Sequence, residues 1–167
     1  MIGIISNDLA AYTIIDRIRE YNNCLDIYLY NKKVDDYSFI IDKLINKKCK
    51  IIIIPSYDNI EIFNDKYSQV KFLSLENKEN GIDSNLLIKA ILEGNELEVR
   101  KVLDDLNIKN KEIVINNPTL LFIKEILEKD YQCKIIDNIT DLINKIDLII
   151  GKDNINNKEG NCYYINW

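Results

Sequence analysis

The feature that most constrains this chain is a recurrence: short β-branched apolar runs separated by amphipathic stretches. Ile51-Ile52-Ile53-Ile54 is the clearest run. Consecutive isoleucines are stiff at χ1 and suit a strand buried on both faces, as in a parallel sheet with helices on either side. Similar runs predict strands at Ile2–Ile5, Leu25–Tyr30, Val70–Leu75, Ile113–Ile115, Lys134–Ile136 and Leu148–Ile150. A last strand, Cys162–Ile165, is expected antiparallel at an edge. Between the runs, apolar residues fall at helical spacing. Examples are Ile14, Ile15 and Ile18, then Ile40, Ile41 and Leu44, and later Leu142 and Ile146. Two more helices, Ser84–Glu93 and Glu96–Leu106, flank Gly94-Asn95, the first capped by Asp83 or Ser84. Alternating β and α signals predict an α/β fold with a mainly parallel sheet and helices on both faces. The expected core includes Ile4, Ile53, Phe72, Val114, Ile126, Ile135, Ile136, Leu148 and Ile149.

The polar stretch Glu76–Gly81 marks a boundary. It divides an N-terminal βαβ lobe, 1–80, from a shortened second lobe, 81–167, with packing as one continuous domain as the alternative. Residues 1–80 and 108–155 both read β-α-β-α-β, without a repeat at the level of residue identity. A chain of 167 residues buries enough surface to hold together without disulfides or metals.

Composition narrows the chemistry. The chain has no histidine, so an imidazole base, a Ser-His or Cys-His nucleophile and a His-ligated metal are all excluded. A net charge of −5 argues against a nucleic-acid partner. The four cysteines, Cys24, Cys49, Cys133 and Cys162, are too far apart for a C-x-x-C pair and read as free thiols of a cytoplasmic protein. The opening residues lack the basic and apolar regions of a secretory leader. The longest apolar runs fall far short of a membrane span. G-x-G-x-x-G, G-x-x-x-x-G-K-[ST] and G-x-S-x-G are absent. No cofactor is implied. The pairs Asp35-Asp36 and Asp104-Asp105 read as solvated faces rather than metal ligands, and Tyr28 and Tyr30 as sheet packing.

Ligands of open α/β sheets sit at the carboxyl ends of the strands. Those ends supply Ser6, Asn7 and Asp8; Asn31; Ser56, Tyr57 and Asp58; Asn116, Asn117 and Thr119; and Asp137 and Asn138. Such small polar residues also serve as plain helix caps. Where they line a pocket, following helix N-termini favour a carboxylate or phosphate.

These strand ends, in order, resemble the glutamate racemases of the Asp/Glu racemase superfamily. The family opens with a pattern like I-G-hydrophobic-F-D-S-G-x-G-G-L-T; here the opening runs Ile2-Gly3-Ile4-Ile5-Ser6-Asn7-Asp8 through Thr13. Ile27-Tyr28-Leu29-Tyr30-Asn31 is similar to the family's second strand, I-Y-F-G-D. Ile54-Pro55-Ser56-Tyr57-Asp58 is similar to the end of I-V-I-A-C-N-T-A. Val70–Leu75 resembles P-V-I-G-V-I-E-P-G, Glu93-Gly94-Asn95-Glu96-Leu97 an E-E-G-x-L segment, and Ile115-Asn116-Asn117-Pro118-Thr119 the L-G-C-T-H-Y-P-L-L segment. A long stretch typical of the family is absent. The resemblance implies racemase-like, equally flavodoxin-like, βαβ units. It also implies a mechanism in which two cysteines face each other across the substrate α-carbon, one taking a proton and the other delivering one. On this chain the first cysteine falls on Ser56 and the second near Asn116 or Asn117. The assisting aspartate falls on Ser6, and the family's histidine has no counterpart. An unassisted alcohol is too weak a base for an α-proton, and an amide is no base at all.

The expectation is therefore a catalytically degenerate racemase-like protein with no catalytic residue. Its vestigial pocket would be lined by Ser6, Asn7, Asp8, Ser56, Tyr57, Asp58, Asn116, Asn117 and Thr119. It would serve as a binding module for a protein partner or a small carboxylate ligand, with a homodimer as a further possibility. One alternative is an active isomerase or lyase of the superfamily using Asp8, Asp58 or Tyr57. Another is an unrelated flavodoxin-like interaction domain.

Overall fold

The computed structural model describes residues 1–6, 10–55, 59–75, 80–151 and 159–165. In chain order the elements are β1 (Ile2–Ile5), α1 (Ala10–Tyr21), β2 (Ile27–Tyr30), α2 (Tyr37–Asn46), β3 (Ile51–Ile53), α3 (Glu61–Lys66) and β4 (Lys71–Leu73). Then come α4 (Asn85–Leu92), α5 (Glu96–Asp105), β5 (Glu112–Ile115), a 3-10 turn (Pro118–Ile123), α6 (Lys124–Lys129), β6 (Lys134–Asp137), α7 (Asn138–Ile150) and β7 (Cys162–Tyr164). They group into two units: Met1–Leu75 with Ile139–Trp167, and Glu76–Asn138.

The first unit is built on a five-stranded sheet in the order β4-β3-β1-β2-β7. Every pairing is parallel, with Ile2 opposite both Ile27 and Ile51. The steps β1 to β2 and β2 to β3 run in opposite directions along the sheet, so right-handed crossovers put α1 on one face and α2 on the other. Side chains alternate accordingly. Gly3, Ile5, Ile52 and Phe72 share the face under α2 and α3, where the last three pack with Ile40, Ile41, Leu44 and Phe63. Gly3 makes room for this helix: a Cβ there would stand 2.9 Å from Leu44 Cδ1 and 3.1 Å from Cδ2. The other face carries Ile2, Ile4, Ile27, Leu29, Ile51 and Ile53, all fully buried, as are Ile14 and Ile18 of α1 and Ile139 and Ile146 of α7. At about 2 kcal/mol for each fully buried isoleucine or leucine, this double-sided burial is the main driving force for the unit. Arg17 Nη2 of α1 donates to Thr140 Oγ1 of α7 at 3.1 Å, and the Tyr21 hydroxyl donates to the Asp147 carboxylate.

In the second unit β5 and β6 pair in parallel, and Gly81 bridges to Val114. Helices α4 and α5 form a hairpin. Ser84 Oγ accepts from the Leu87 amide, as its capping position predicts, and Asn95 Oδ1 accepts from the Glu98 amide. The turn between them places Gly94 at a φ of +65°, a conformation that glycine and asparagine adopt most readily. Leu87, Leu103, Ile113, Ile115, Leu120 and Leu127 form its core.

The α/β class, the parallel sheet and helices on both faces are as the periodicity predicts. Three details differ. Leu148–Ile150 is the last turn of α7, not a strand. Ile139, Leu142, Ile143 and Ile146 are buried at helical spacing, nothing breaks the helix before Leu148, and the triplet falls on the outer side with Leu148 85% exposed. A short apolar run alone does not distinguish a strand from a helix turn. Ile149 is likewise exposed, and Ile126, Ile135 and Ile136 are only partly buried. Second, β7 pairs parallel to β2, with Cys162 opposite Ile27. Third, residues 108–155 do not repeat β-α-β-α-β, because α7 takes the place of their third strand. The second unit ends at Asn138, and the closing stretch of the chain groups with the first.

Candidate functional site

In the first unit, β1 ends at Ser6, which is 9% exposed and whose amide donates to the Tyr30 carbonyl at 3.1 Å. After β2, Asn31 Nδ2 donates to the Tyr12 hydroxyl at 2.9 Å, while Asn31 Oδ1 is buried and accepts no hydrogen bond among the described residues. A pocket of about 110 Å³ opens at this edge. Ile5, Val34 and Ile54 supply its apolar lining, Ser6 and Tyr37 its polar lining, and Lys32 and Lys33 its charge. Asn7, Asp8, Ser56, Tyr57 and Asp58 lie outside the described residues.

In the second unit Asn116, Asn117 and Thr119 follow β5 and lie together. Asn116 Oδ1 accepts from Asn138 Nδ2 at 2.8 Å, and Asn138 is 2% exposed. The Asn116 amide lies against Gly81, where a Cβ would come within 2.4 Å of its Nδ2. Asn117 caps the 3-10 turn, its Oδ1 accepting from the Thr119 amide at 2.9 Å, so its side chain has the plain structural task. Thr119 is 5% exposed. These are neutral donors and acceptors. They hold and orient polar groups, but none can take a proton from carbon.

The thiols lie elsewhere. Cys24 and Cys49 precede β2 and β3, Cys133 precedes β6, and Cys162 opens β7. Every one is at the amino end of its strand, and all four are unpaired. Burial pushes the Cys49 thiol up to about 11 and raises Cys133 and Cys162 as well, so these three are less ionised than an ordinary cysteine. Cys133 Sγ also sits 3.3 Å from the Ile108 carbonyl, which favours the protonated thiol.

A second, wider groove of about 440 Å³ lies in the second unit, beside Arg100, Asp104, Lys109, Asp130 and Tyr131. It is at the amino ends of β5 and β6, and Arg100, Asp104 and Asp130 in its lining are all hydrogen-bonded. Arg100 donates to Glu96 and Asp130 at 2.9 and 2.8 Å, and the Tyr131 hydroxyl donates to Asp104 at 2.8 Å. Burial, and then the bond to Asp104, hold the Tyr131 phenol up at about 12.

Of the residues the strand-end rule names, Ser6 lines the pocket of the first unit, whose other lining residues Lys32, Lys33, Val34 and Tyr37 the rule does not name. The signal was present, since Lys32 and Lys33 follow Asn31 directly in the turn leading to α2. Asp35, Asp36, Asp104 and Asp105 are all exposed, as solvated faces require; in addition Asp36 caps α2, its carboxylate accepting from the Ser38 amide, and Asp104 accepts from the Tyr131 hydroxyl. Tyr28 stacks on Tyr163 with ring centroids 4.8 Å apart, as sheet packing requires. Among the described residues no group of three Cys, Asp or Glu gathers to hold a metal ion, and no helix is long and apolar enough to cross a membrane.

No protein-family model and no curated protein matches the chain. Solved structures do. The glutamate racemase of Thermus thermophilus, solved with β-chloro-D-alanine, superposes with a TM-score of 0.70 at 12% identity, over 98% of this chain and 86% of that one. A glutamate racemase of Bacillus anthracis gives 0.69 at 10% identity, over 98% and 87%. That of Francisella tularensis, solved with D-glutamate, gives 0.64 at 16% identity, over 99% and 88%. The chain has a racemase-like α/β fold.

Proposed function

We propose that this protein is a catalytically degenerate member of the racemase-like fold, acting as a binding module for a protein partner or a small acidic ligand. The observation that carries it is the placement of the thiols. A two-thiol proton exchange needs two ionisable sulfurs at the carboxyl ends of strands. Here every cysteine is at an amino end, and burial raises three of the four away from the thiolate. At the described strand ends Ser6, Asn31, Asn116 and Asn117 carry a hydroxyl and amides, which bind but do not deprotonate carbon, and the carboxylate there, Asp137 at the end of β6, has no thiol beside it at that edge. Four unpaired thiols suit a reducing cytoplasm.

The test is α-proton exchange. The recombinant protein is incubated with each enantiomer of glutamate and aspartate in deuterated buffer and followed by proton NMR. No exchange above the protein-free control is expected. Exchange that disappears in Ser56→Ala would overturn the assignment.

A further inference from the structure

We propose that the outer edge of β7 pairs with β7 of a second copy of this chain, antiparallel across a two-fold axis, joining two five-stranded sheets into one. This surface is separate from the carboxyl ends of the strands, so the inference goes beyond the binding-module reading and does not depend on it.

The two edges of the sheet are built differently. Along a parallel strand, the backbone groups of successive residues face opposite neighbours. In β4 the Lys71 amide donates to the Lys50 carbonyl and the Leu73 carbonyl accepts from the Ile54 amide, which turns Phe72 outward. Asn64 closes that position. Its Oδ1 accepts from the Phe72 amide at 2.9 Å, and its Nδ2 donates to the Phe72 carbonyl at 3.4 Å. A side-chain amide thus takes the place of a further strand. In β7 the Asn161 carbonyl accepts from the Ile27 amide and the Ile165 amide donates to the Leu29 carbonyl, so Cys162 and Tyr164 face outward. Among the described residues no hydrogen bond reaches the backbone groups of these two. Charges that oppose edge pairing stand on Lys71 of β4, Glu112 of β5, and Lys134 and Asp137 of β6, whereas β7 reads Cys-Tyr-Tyr and carries none.

A second copy fits this edge in register. A two-fold axis perpendicular to the sheet keeps every side chain on its own face, so it must set one residue opposite its own mate. Centred on Tyr163, it sets Cys162 opposite Tyr164 of the partner subunit and Tyr164 opposite Cys162 of the partner subunit. Both become hydrogen-bonded pairs, and every outward amide and carbonyl of the strand is matched. Tyr163 meets its mate in the closer, non-hydrogen-bonded position, with α-carbons about 4.5 Å apart. Tyr163 stacks on Tyr28 at 4.8 Å between ring centroids and is still 41% exposed, so it has surface left for the mate. Two chains of net charge −5 meet best where the contact strand holds no acid, as here. Three residues a side make a small contact, under about 1,200 Å², so the expected complex is a weak dimer in exchange with monomer. The joined sheet does not grow through β4, where Asn64 occupies the edge.

The experiment is sedimentation velocity of the full chain from about 10 µM to about 1 mM, the range of weak complexes, with amide hydrogen exchange by NMR at both ends of it. Expected is a monomer–dimer equilibrium in which the Cys162 and Tyr164 amides exchange at least about threefold more slowly at the high concentration, while that of Tyr163, which faces β2, does not change. Tyr164→Pro removes an outward donor and leaves the bonds to β2 in place, so it should weaken the dimer about tenfold or more with an unchanged circular dichroism spectrum. Should proline unseat the strand, Tyr163→Lys keeps the backbone donors and sets two ammonium groups against each other across the axis, with the same loss expected. A chain that stays monomeric throughout, a dimer that forms without protecting Cys162 and Tyr164, or one that survives both substitutions overturns the proposal. Slow exchange of those two amides in the monomer also overturns it, because the edge is then covered from within the chain.

Discussion

Gly160→Ala is the sharpest test of how the edge strand β7 is held. A Cβ at Gly160 would stand 2.3 Å from the Leu25 carbonyl oxygen, 2.5 Å from its carbon and 2.8 Å from the Cys24 carbonyl carbon. All three are backbone atoms, so no rotamer change relieves the clash. Restoring ordinary carbon–oxygen contact at about 3.3 Å requires a shift of about 1 Å. Four hydrogen bonds converge on this point: Gly160 amide to Asn23 carbonyl at 2.8 Å, Arg19 Nη1 to Gly160 carbonyl at 3.0 Å, Ile27 amide to Asn161 carbonyl at 2.9 Å, and Asn161 amide to Asp26 Oδ1 at 2.9 Å. A 1 Å displacement takes most of them out of range, at about 1 kcal/mol net each. The competing response is release of the strand. That exposes Ile165, worth about 2 kcal/mol, and breaks the Tyr28–Tyr163 stack, worth about 1 kcal/mol more. The cheaper route sets the effect, so the expected loss is about 3 kcal/mol by either count. Urea unfolding followed by far-UV circular dichroism measures it. Hydrogen exchange of the Ile27 and Ile165 amides, bonded to Asn161 and Leu29, locates it. Gly94→Asn is the control: its φ of +65° suits asparagine and a Cβ there meets nothing within 4 Å, so it should stay within about 0.5 kcal/mol of the parent. A Gly160→Ala protein as stable as that control, with unchanged exchange, refutes the reasoning.

Three further outcomes are expected. Gly3→Val should cost about 1–3 kcal/mol in the same urea assay, because the new side chain drives into fully buried Leu44, and an unchanged midpoint would show that α2 has slack. In native-state thiol labelling, half-buried Cys24 should react at least about a hundredfold faster than buried Cys49 and Cys133, and equal rates would contradict their placement. The Tyr131 phenol is held up at about 12 in the fold against 10.0 unfolded, so it keeps its proton longer when folded. Its contribution is complete below pH 10 and is lost as pH rises towards 12, with Cys49 adding the same sign from pH 9 to about 11. Urea midpoints should therefore fall between about pH 9.5 and 11.5, and fall less steeply in Tyr131→Phe.

The sheet was legible because its strands are buried on both faces. A strand such as Ile51–Ile53 has no solvent side, so it reads as an unbroken apolar run. Leu148-Ile149-Ile150 has the same local composition, and only burial at Ile139, Leu142 and Ile146 reveals that the helix continues through it. The direction of β7 was not legible, because three residues of pattern carry no sign of parallel or antiparallel pairing. At the site, Asn117 shows how a strand-end polar residue serves as a cap. Lys32 and Lys33 were hidden because exposed lysines are common in turns, and only the neighbouring apolar wall makes them a pocket.

A parallel sheet sorts its two edges into different roles, and this explains how a racemase-like fold can persist at 10–16% identity. The strands supply the fold's energy from their middles, where each buried isoleucine contributes about 2 kcal/mol. A strand-end residue such as Asn117 contributes a cap worth about 1 kcal/mol, and serine, threonine, aspartate and asparagine supply it interchangeably. Replacing a reactive group at a strand end by a hydroxyl or amide therefore changes chemistry far more than stability. A thiol at the amino edge, as at Cys49 or Cys133, lies where neighbouring backbone and apolar side chains bury it and keep it protonated. Stability selects for the strand interiors and is nearly indifferent to what stands at their carboxyl ends.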